Sequence, residues 1–182
     1  MIDPHNRPVL GNDILRLRAP VAADVAARFA LGRSAEILRG YGVDATSLGP
    51  YTLAETEAWV EEHLRKDHHF IIEHGGALVG AVFLHSVDGT DRRATIAIGL
   101  VDEAKLGQGI GTAAMRLMLT HAFGTLGLHR IGLHVMADNE RAIACYRKLG
   151  FVEEGRTRES ARVGNVWQDD LVMGILAREF LT

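Results

Sequence analysis

Between Leu106 and Met118 the chain reads LGQGIGTAAMRLM, with glycines at 107, 109 and 111 directly ahead of a helix-forming stretch. A connecting turn needs one glycine. Three at alternate positions strip the side chains from a helix N-terminus, whose first N–H groups have no partners inside the helix. Those donors, with the positive end of the helix dipole, suit an anion such as phosphate or pyrophosphate. The residues Ile110, Ala113, Ala114, Leu117 and Met118 then follow the spacing of a buried helical stripe. A nucleotide-triphosphate loop requires Gly-Lys-Ser/Thr, but Gly111 is followed by Thr112. Gly109 to Ala114 imitates the end of a dinucleotide fingerprint. However, the unit sits in mid-chain, and the stretch FGTLGLHRIGLHVM lacks the acidic residue such a fold places about 20 positions on.

The loop lies in a strand–helix–strand unit, with strands at 94–101 and 131–136 around a helix reaching about Phe123. Leu133 and Val135 fall on one face of the second strand and His134 on the other. Elsewhere Ile14–Arg18 alternates as a first strand ended by Pro20, and VAADVAARFALG reads as a helix. Thr52 and Glu55 stand at capping-box spacing ahead of a second helix, for which Ala58, Trp59 and Leu64 supply an apolar side. HHFIIEHGGALVGAVFLHSV predicts two strands joined at Gly75–Gly76. A helix over 139–149 and strands near 151–158 and 167–175 complete the chain. Hairpins plus one crossover imply an α/β (α+β-like) domain, with a mixed, mostly antiparallel sheet flanked by helices. At 182 residues, 47% of them hydrophobic, the chain fits one domain over 1–182 with its core in 13–178. A net charge of −3 offers no general attraction to nucleic acid or to an anionic membrane. No apolar run approaches the roughly 18–20 residues of a membrane span, and MIDPHNRPVL has no signal-peptide core. The single cysteine, Cys145, cannot form an internal disulfide and points to a reducing cytoplasm.

A second motif, NERAIACYRKLGF over Asn139–Phe151, follows the glycine loop after one strand. With it the chain resembles the GCN5-related N-acetyltransferases, in the branch similar to ribosomal-protein N-terminal and spermidine acetyltransferases. The family's Gln/Arg-x-x-Gly-x-Gly/Ala loop, which cradles the pyrophosphate of acetyl-coenzyme A, is matched at Gly109 and Gly111. Gly107 and Gln108 are also typical of the branch. Leu106 departs from the Gln or Arg of the pattern, so a side-chain contact is lost while the backbone cradle survives. The resemblance extends to GFVEEGRTRE and VGNVWQDDLVMGIL, with Asp169 before the last strand, and more thinly to LRAPVAADV and YTLAETEAWV.

The resemblance implies two strands that splay apart and backbone groups of Ile98, Gly99, Leu100 and Val101 beside the pantetheine arm. An oxyanion donor is expected within Ile98–Leu100. Further cofactor contacts are expected from Leu106, Gly107, Gln108, Gly109, Ile110, Gly111, Thr112, Asn139, Ala142 and Tyr146. It implies direct acetyl transfer to a primary amine, and Tyr146 as the acid that protonates the coenzyme sulfur. The residue pattern agrees: Ala142, Cys145, Tyr146 and Leu149 share one helical stripe, so Tyr146 faces inward. Asn139 is also an N-cap by residue type.

Many relatives in the branch carry a Glu where this chain has Thr95. The base is therefore left open between His134, His85 and a water chain, and a non-catalytic acyl-coenzyme A-binding or sensing domain stands as a rival reading. Cys145 has no His and acid paired with it by any motif and reads as a small core residue. The nine histidines form no metal signature: His68–His69 begin a strand and His63 is expected on a helix surface. An α-amine with a pKa near 8 is ~10% neutral at pH 7 and a lysine-like amine ~0.04%, a difference of about 3 kcal/mol. Weak base provision therefore leans towards a protein or peptide N-terminus, with polyamines and aminoglycoside-type amines as alternatives. Glu36, Tyr41, Thr95 and His134 are the expected acceptor contacts. Homodimers are frequent among relatives of this kind.

Overall fold

The structure, a computed structural model, describes residues 7–180. Eight strands form one sheet in the order β1-β2-β3-β4-β5-β6-β8-β7. They are β1 Leu10–Gly11, β2 Leu15–Arg18, β3 His69–His74, β4 Ala77–Asp88, β5 Arg93–Leu100, β6 Arg130–Met136, β7 Val152–Val163 and β8 Val166–Leu176. Every neighbouring pair is antiparallel except β5 with β6, the crossover implied by the sequence pattern. Gly75 and Gly76, at φ 58° and 80°, supply the left-handed turn that joins β3 to β4.

Helices α1 (Asp24–Leu31), α2 (Ala35–Gly40) and α3 (Leu53–Leu64) precede β3, and α4 (Ile110–Thr120) and α5 (Glu140–Lys148) flank β6. A short α6 (Ala177–Phe180) follows β8. The Thr52–Glu55 capping box forms in both directions: Glu55 N–H donates to Thr52 Oγ1 at 3.3 Å and Thr52 N–H to Glu55 Oε2 at 2.9 Å. Such a cap contributes about 1 kcal/mol. The helix α2 has no counterpart in the sequence reading. It is capped by Ser34, whose hydroxyl accepts from Ile37 N–H at 3.2 Å.

Strand alternation sorts the side chains onto two faces. Ile72, Val82, Leu84, Ala94, Ile96, Ile131, Leu133, Val135, Met173 and Ile175 pack against α4 and α5 in the main core. Ile71 and Ala81, with Leu78, form a smaller cluster on the other face, beneath Leu31 and Trp59 of α1 and α3. The α4 stripe is rotated from its expected phase: Ile110, Ala114, Met115, Met118 and Leu119 are buried, whereas Ala113 is exposed and Leu117 half-buried. This helix is apolar on most of its circumference, so spacing alone did not fix which side meets the sheet. Its last turn also widens into a π-turn over His121–Thr125, where the pattern ran the helix on to about Phe123.

On α3 the buried residues are Thr56, Val60 and His63, while Ala58 is exposed. His63 is only 4% exposed, contrary to its expected surface position. It sits between Trp59, His69 and Phe83, with Nδ1–H donating to the Trp59 carbonyl at 2.8 Å. Thr56 and His63 are polar, so the true stripe was hidden from a reading that sought apolar spacing.

Candidate active site

The parallel seam between β5 and β6 is short. Arg93, Ala94 and Thr95 pair with Arg130, Ile131 and Gly132, and beyond them the strands part. In an antiparallel pair, residues alternate between bonding the neighbour and facing away. Val101 N–H donates to the Val79 carbonyl at 2.9 Å, so Val101 and Gly99 are turned to β4. Ile98 and Leu100 therefore direct their backbone groups into the gap that β6 vacates. Of the expected run, Gly99 and Val101 are corrected: their backbone groups are turned to β4 and are not open to a ligand.

A cleft of about 640 Å³ runs through this gap. On the α4–α5 side its walls include Leu106, Gly107, Gly109, Gly111, Thr112, Ala142, Cys145 and Tyr146. Gly109 is the N-cap of α4 at φ 78°, Gly107 has φ 73°, and no side chain caps the helix. A Cβ at Gly107, Gly109 or Gly111 would meet nothing within 4 Å. The glycines are thus not dictated by protein packing; they leave free volume over the first-turn N–H groups, as a phosphate cradle requires. An adjoining hollow adds the cations Arg116 and Lys148, neither of which the sequence reading singled out. The Gln108 side chain turns away, donating to the Ala104 carbonyl at 2.6 Å, and Ile110 is buried in the core.

Asn139 caps α5 by accepting from Ala142 N–H at 3.1 Å, and its amide donates to the Gly40 carbonyl at 2.9 Å. One side chain therefore joins the start of α5 to the end of α2. Tyr146 is buried on α5, beside Leu149 and Ile143, the last of which the predicted stripe omitted. Its phenol pKa is raised, first by burial and then by Cys145 and Tyr41, and its hydroxyl has no hydrogen-bond partner among the described residues. Cys145 lies 3.1 Å from Thr112 Oγ1, and burial pushes its thiol up. That partner is a hydroxyl and not a base, so the thiol is not activated.

The other end of the cleft lies on the α1–α3 face and is lined by Ile37, Tyr41, Ala97, His134, Met136, Ala161 and Asp170. Tyr41 leaves α2 with part of its ring in solvent, but its hydroxyl is packed onto Gly99: a Cβ there would lie 2.0 Å from the phenol oxygen. Burial of that end raises the phenol to about 12, against the opposing pull of Arg28 and Arg141. Of the other residues expected here, Thr95 sits at the end of the parallel seam, behind the cleft. Glu36 is held by Arg141 at 2.7 Å, so that Arg141 and not Glu36 reaches the wall. His85 is exposed on β4 beside Ser86 and is not part of the lining, whereas His134 is. Asp170 is the only acidic side chain among the described residues of the lining, and nothing in the sequence reading marked it.

Residues 15–152 match the profile of the acetyltransferase (GNAT) domain. The chain is 35% identical over 105 residues to the Bacillus subtilis (strain 168) protein YdaF, provisionally named a ribosomal N-acetyltransferase, which covers 58% of this chain and 57% of YdaF. It is 31% identical over 119 residues to spermidine N(1)-acetyltransferase of Escherichia coli (strain K12), covering 65% of this chain and 63% of that enzyme. The chain thus aligns with less than two thirds of the length of these two relatives. The crystal structure of spermidine N-acetyltransferase from Vibrio cholerae, in complex with CoA and spermine, superposes with a TM-score of 0.77 at 28% identity, covering 94% of this chain and all of that one. The chain belongs to the GNAT family of acetyl-coenzyme A-dependent acyltransferases, as the two motifs implied. No helix among the described residues is long and apolar enough to cross a membrane.

Proposed function

We propose that this protein transfers acetyl from acetyl-coenzyme A directly to a primary amine, and that a protein or peptide N-terminal α-amine is its favoured acceptor. The observation that carries this reading is the continuity of one cleft, from the open glycine cradle, past the Tyr146 phenol, through the strand gap to His134. When bound, the coenzyme supplies an acetyl thioester. Gly107, Gly109, Gly111, Thr112, Arg116 and Lys148 are the groups available for its phosphates, and Ile98 and Leu100 for its amide-bearing arm. A backbone N–H at Ile98 or Leu100 faces the gap and serves a developing oxyanion. Tyr146, held protonated by burial, donates to the departing sulfur. His134, directly or through water, takes the proton from the amine; Thr95 cannot. We place the protein in the cytoplasm on its cysteine usage.

A polyamine is the second reading, supported by the spermidine enzymes among its relatives. The cleft wall weighs against it, because an acceptor with several ammonium groups finds Asp170 as the only acidic wall residue among the described ones. A homodimer accords with the family resemblance. The test is thiol release from acetyl-coenzyme A against N-terminally free peptides, polyamines and aminoglycosides, beside a melting assay with the coenzyme. The expected result is an upward melting shift, lost in Gly111→Leu, and fastest release with peptides. A shift without release on any amine would favour the sensing domain, and no shift would overturn the cofactor assignment.

A further inference from the structure

We infer that Asp170 is the anchor that holds the acceptor's ammonium group beside His134, an inference that rests on the amine-acetylating reading above. Directly paired residues of an antiparallel ladder share a face. Met136 pairs with Asp170 and His134 with Val172, so Asp170 and His134 are diagonal neighbours on the acceptor face. The intervening residue, Leu171, points the other way into the main core. Diagonal neighbours stand about 7–8 Å apart at the backbone, near enough for both side chains to reach one nitrogen between them.

The Asp170 carboxylate is half-buried in the wall, yet it makes no hydrogen bond or ion pair with any described residue. Asp169 beside it in sequence, and Glu36 and Glu103 elsewhere, all have partners. Asp169 accepts from Arg156 at 2.6 Å and from Glu159 N–H at 2.8 Å, Glu36 is held by Arg141, and Glu103 accepts from Ser34 at 2.5 Å. A partly desolvated carboxylate without a partner is unfavourable unless a cation completes it. The acceptor arrives as that cation, since a primary amine is mostly protonated near neutrality. Asp170 therefore recruits the charged form and places its nitrogen where His134 can remove a proton. The apolar wall of Ile37, Tyr41 and Met136 receives the carbon next to the amine. One carboxylate on a rigid strand selects an acceptor with one positive charge at its reacting end.

The experiment measures steady-state thiol release by the whole protein with an Ala-Ala-Ala-Ala amide, spermidine and kanamycin, for wild type, Asp170→Asn and Asp170→Glu. Asp170→Asn is expected to raise the acceptor KM ~10–100-fold, the range for a hydrogen bond to a charged group. The acetyl-coenzyme A KM and the coenzyme-induced melting shift should stay as in wild type, and Asp170→Glu should recover part of the acceptor KM. An unchanged acceptor KM in Asp170→Asn overturns the anchor alone. Equal losses for both substrates, or a lost melting shift, assign Asp170 a structural role and also overturn it. If wild type binds the coenzyme but acetylates none of the probes, the amine-acetylating reading fails and the anchor falls with it.

Discussion

On the α4–α5 face the sheet carries a continuous apolar core, whereas the α1–α3 face buries only Ile71, Leu78 and Ala81 in its own cluster among the described residues. That second face instead encloses polar groups: Asp24, Arg28, Thr56, His63, His69 and Glu73 are all buried there. The first face presents the proposed coenzyme cradle, built mainly from backbone, with glycines and an uncapped helix start. The second presents the proposed acceptor end, built from side chains, Tyr41, His134 and Asp170, drawn from three distant parts of the chain. A binding surface made of main chain tolerates little variation. One made of side chains on separate elements can be re-specified one residue at a time.

The sharpest test of this contrast removes the one side chain the first face contributes to the chemistry. Tyr146→Phe is expected to lower turnover by ~10²–10⁴ with the acetyl-coenzyme A KM nearly unchanged, as read by thiol release. Near-normal turnover would reduce Tyr146 to a core aromatic.

Next in size is Gly99→Ala, whose methyl must displace the Tyr41 hydroxyl from 2.0 Å. The acceptor KM is expected to rise roughly 10-fold, the effect of a lost wall contact. Coenzyme-induced stabilisation should survive, because Gly99 faces β4 and not the gap. Equal damage to both substrates would show that the two ends of the cleft are not separable.

The last test reads stability and not turnover. Burial, with nearby charges including His63 and Arg7, lowers His69 to about 3, and His63 is lowered as well. Below the ordinary histidine value near 6.5 the unfolded chain therefore binds more protons than the folded one. Stability is fully present above about pH 6.5 and declines as pH falls towards 3, by on the order of 1 kcal/mol per pH unit for one such histidine. Denaturant melts across this window should show the loss, and His69→Phe should flatten it. An unaltered slope in that variant would place the acid sensitivity elsewhere than under α3.

Legibility in the sequence followed the same division. The glycine loop, the helix predicted over 139–149, the capping box and the Gly75–Gly76 turn are local devices, and each formed where its spacing put it. The α2 helix is six residues long, ends at Gly40 and is followed by Tyr41 and Gly42, too short for any periodicity to register. His63 was misplaced because its neighbours on the buried stripe include a threonine. Asp170 was invisible because what distinguishes it from Asp169 is the partner each carboxylate has, a fact of tertiary structure alone.

The parting of β5 from β6 leaves two strand edges facing one another inside the molecule instead of at its rim. The Ile98 and Leu100 groups in that slot face no strand, so a ligand bound there would trade their solvent bonds for its own. Such an exchange nets only about 0.5–1.5 kcal/mol per bond. On the proposed reading, an amide-bearing arm would be aligned to the width of a strand by clasps that are each weak enough to open again.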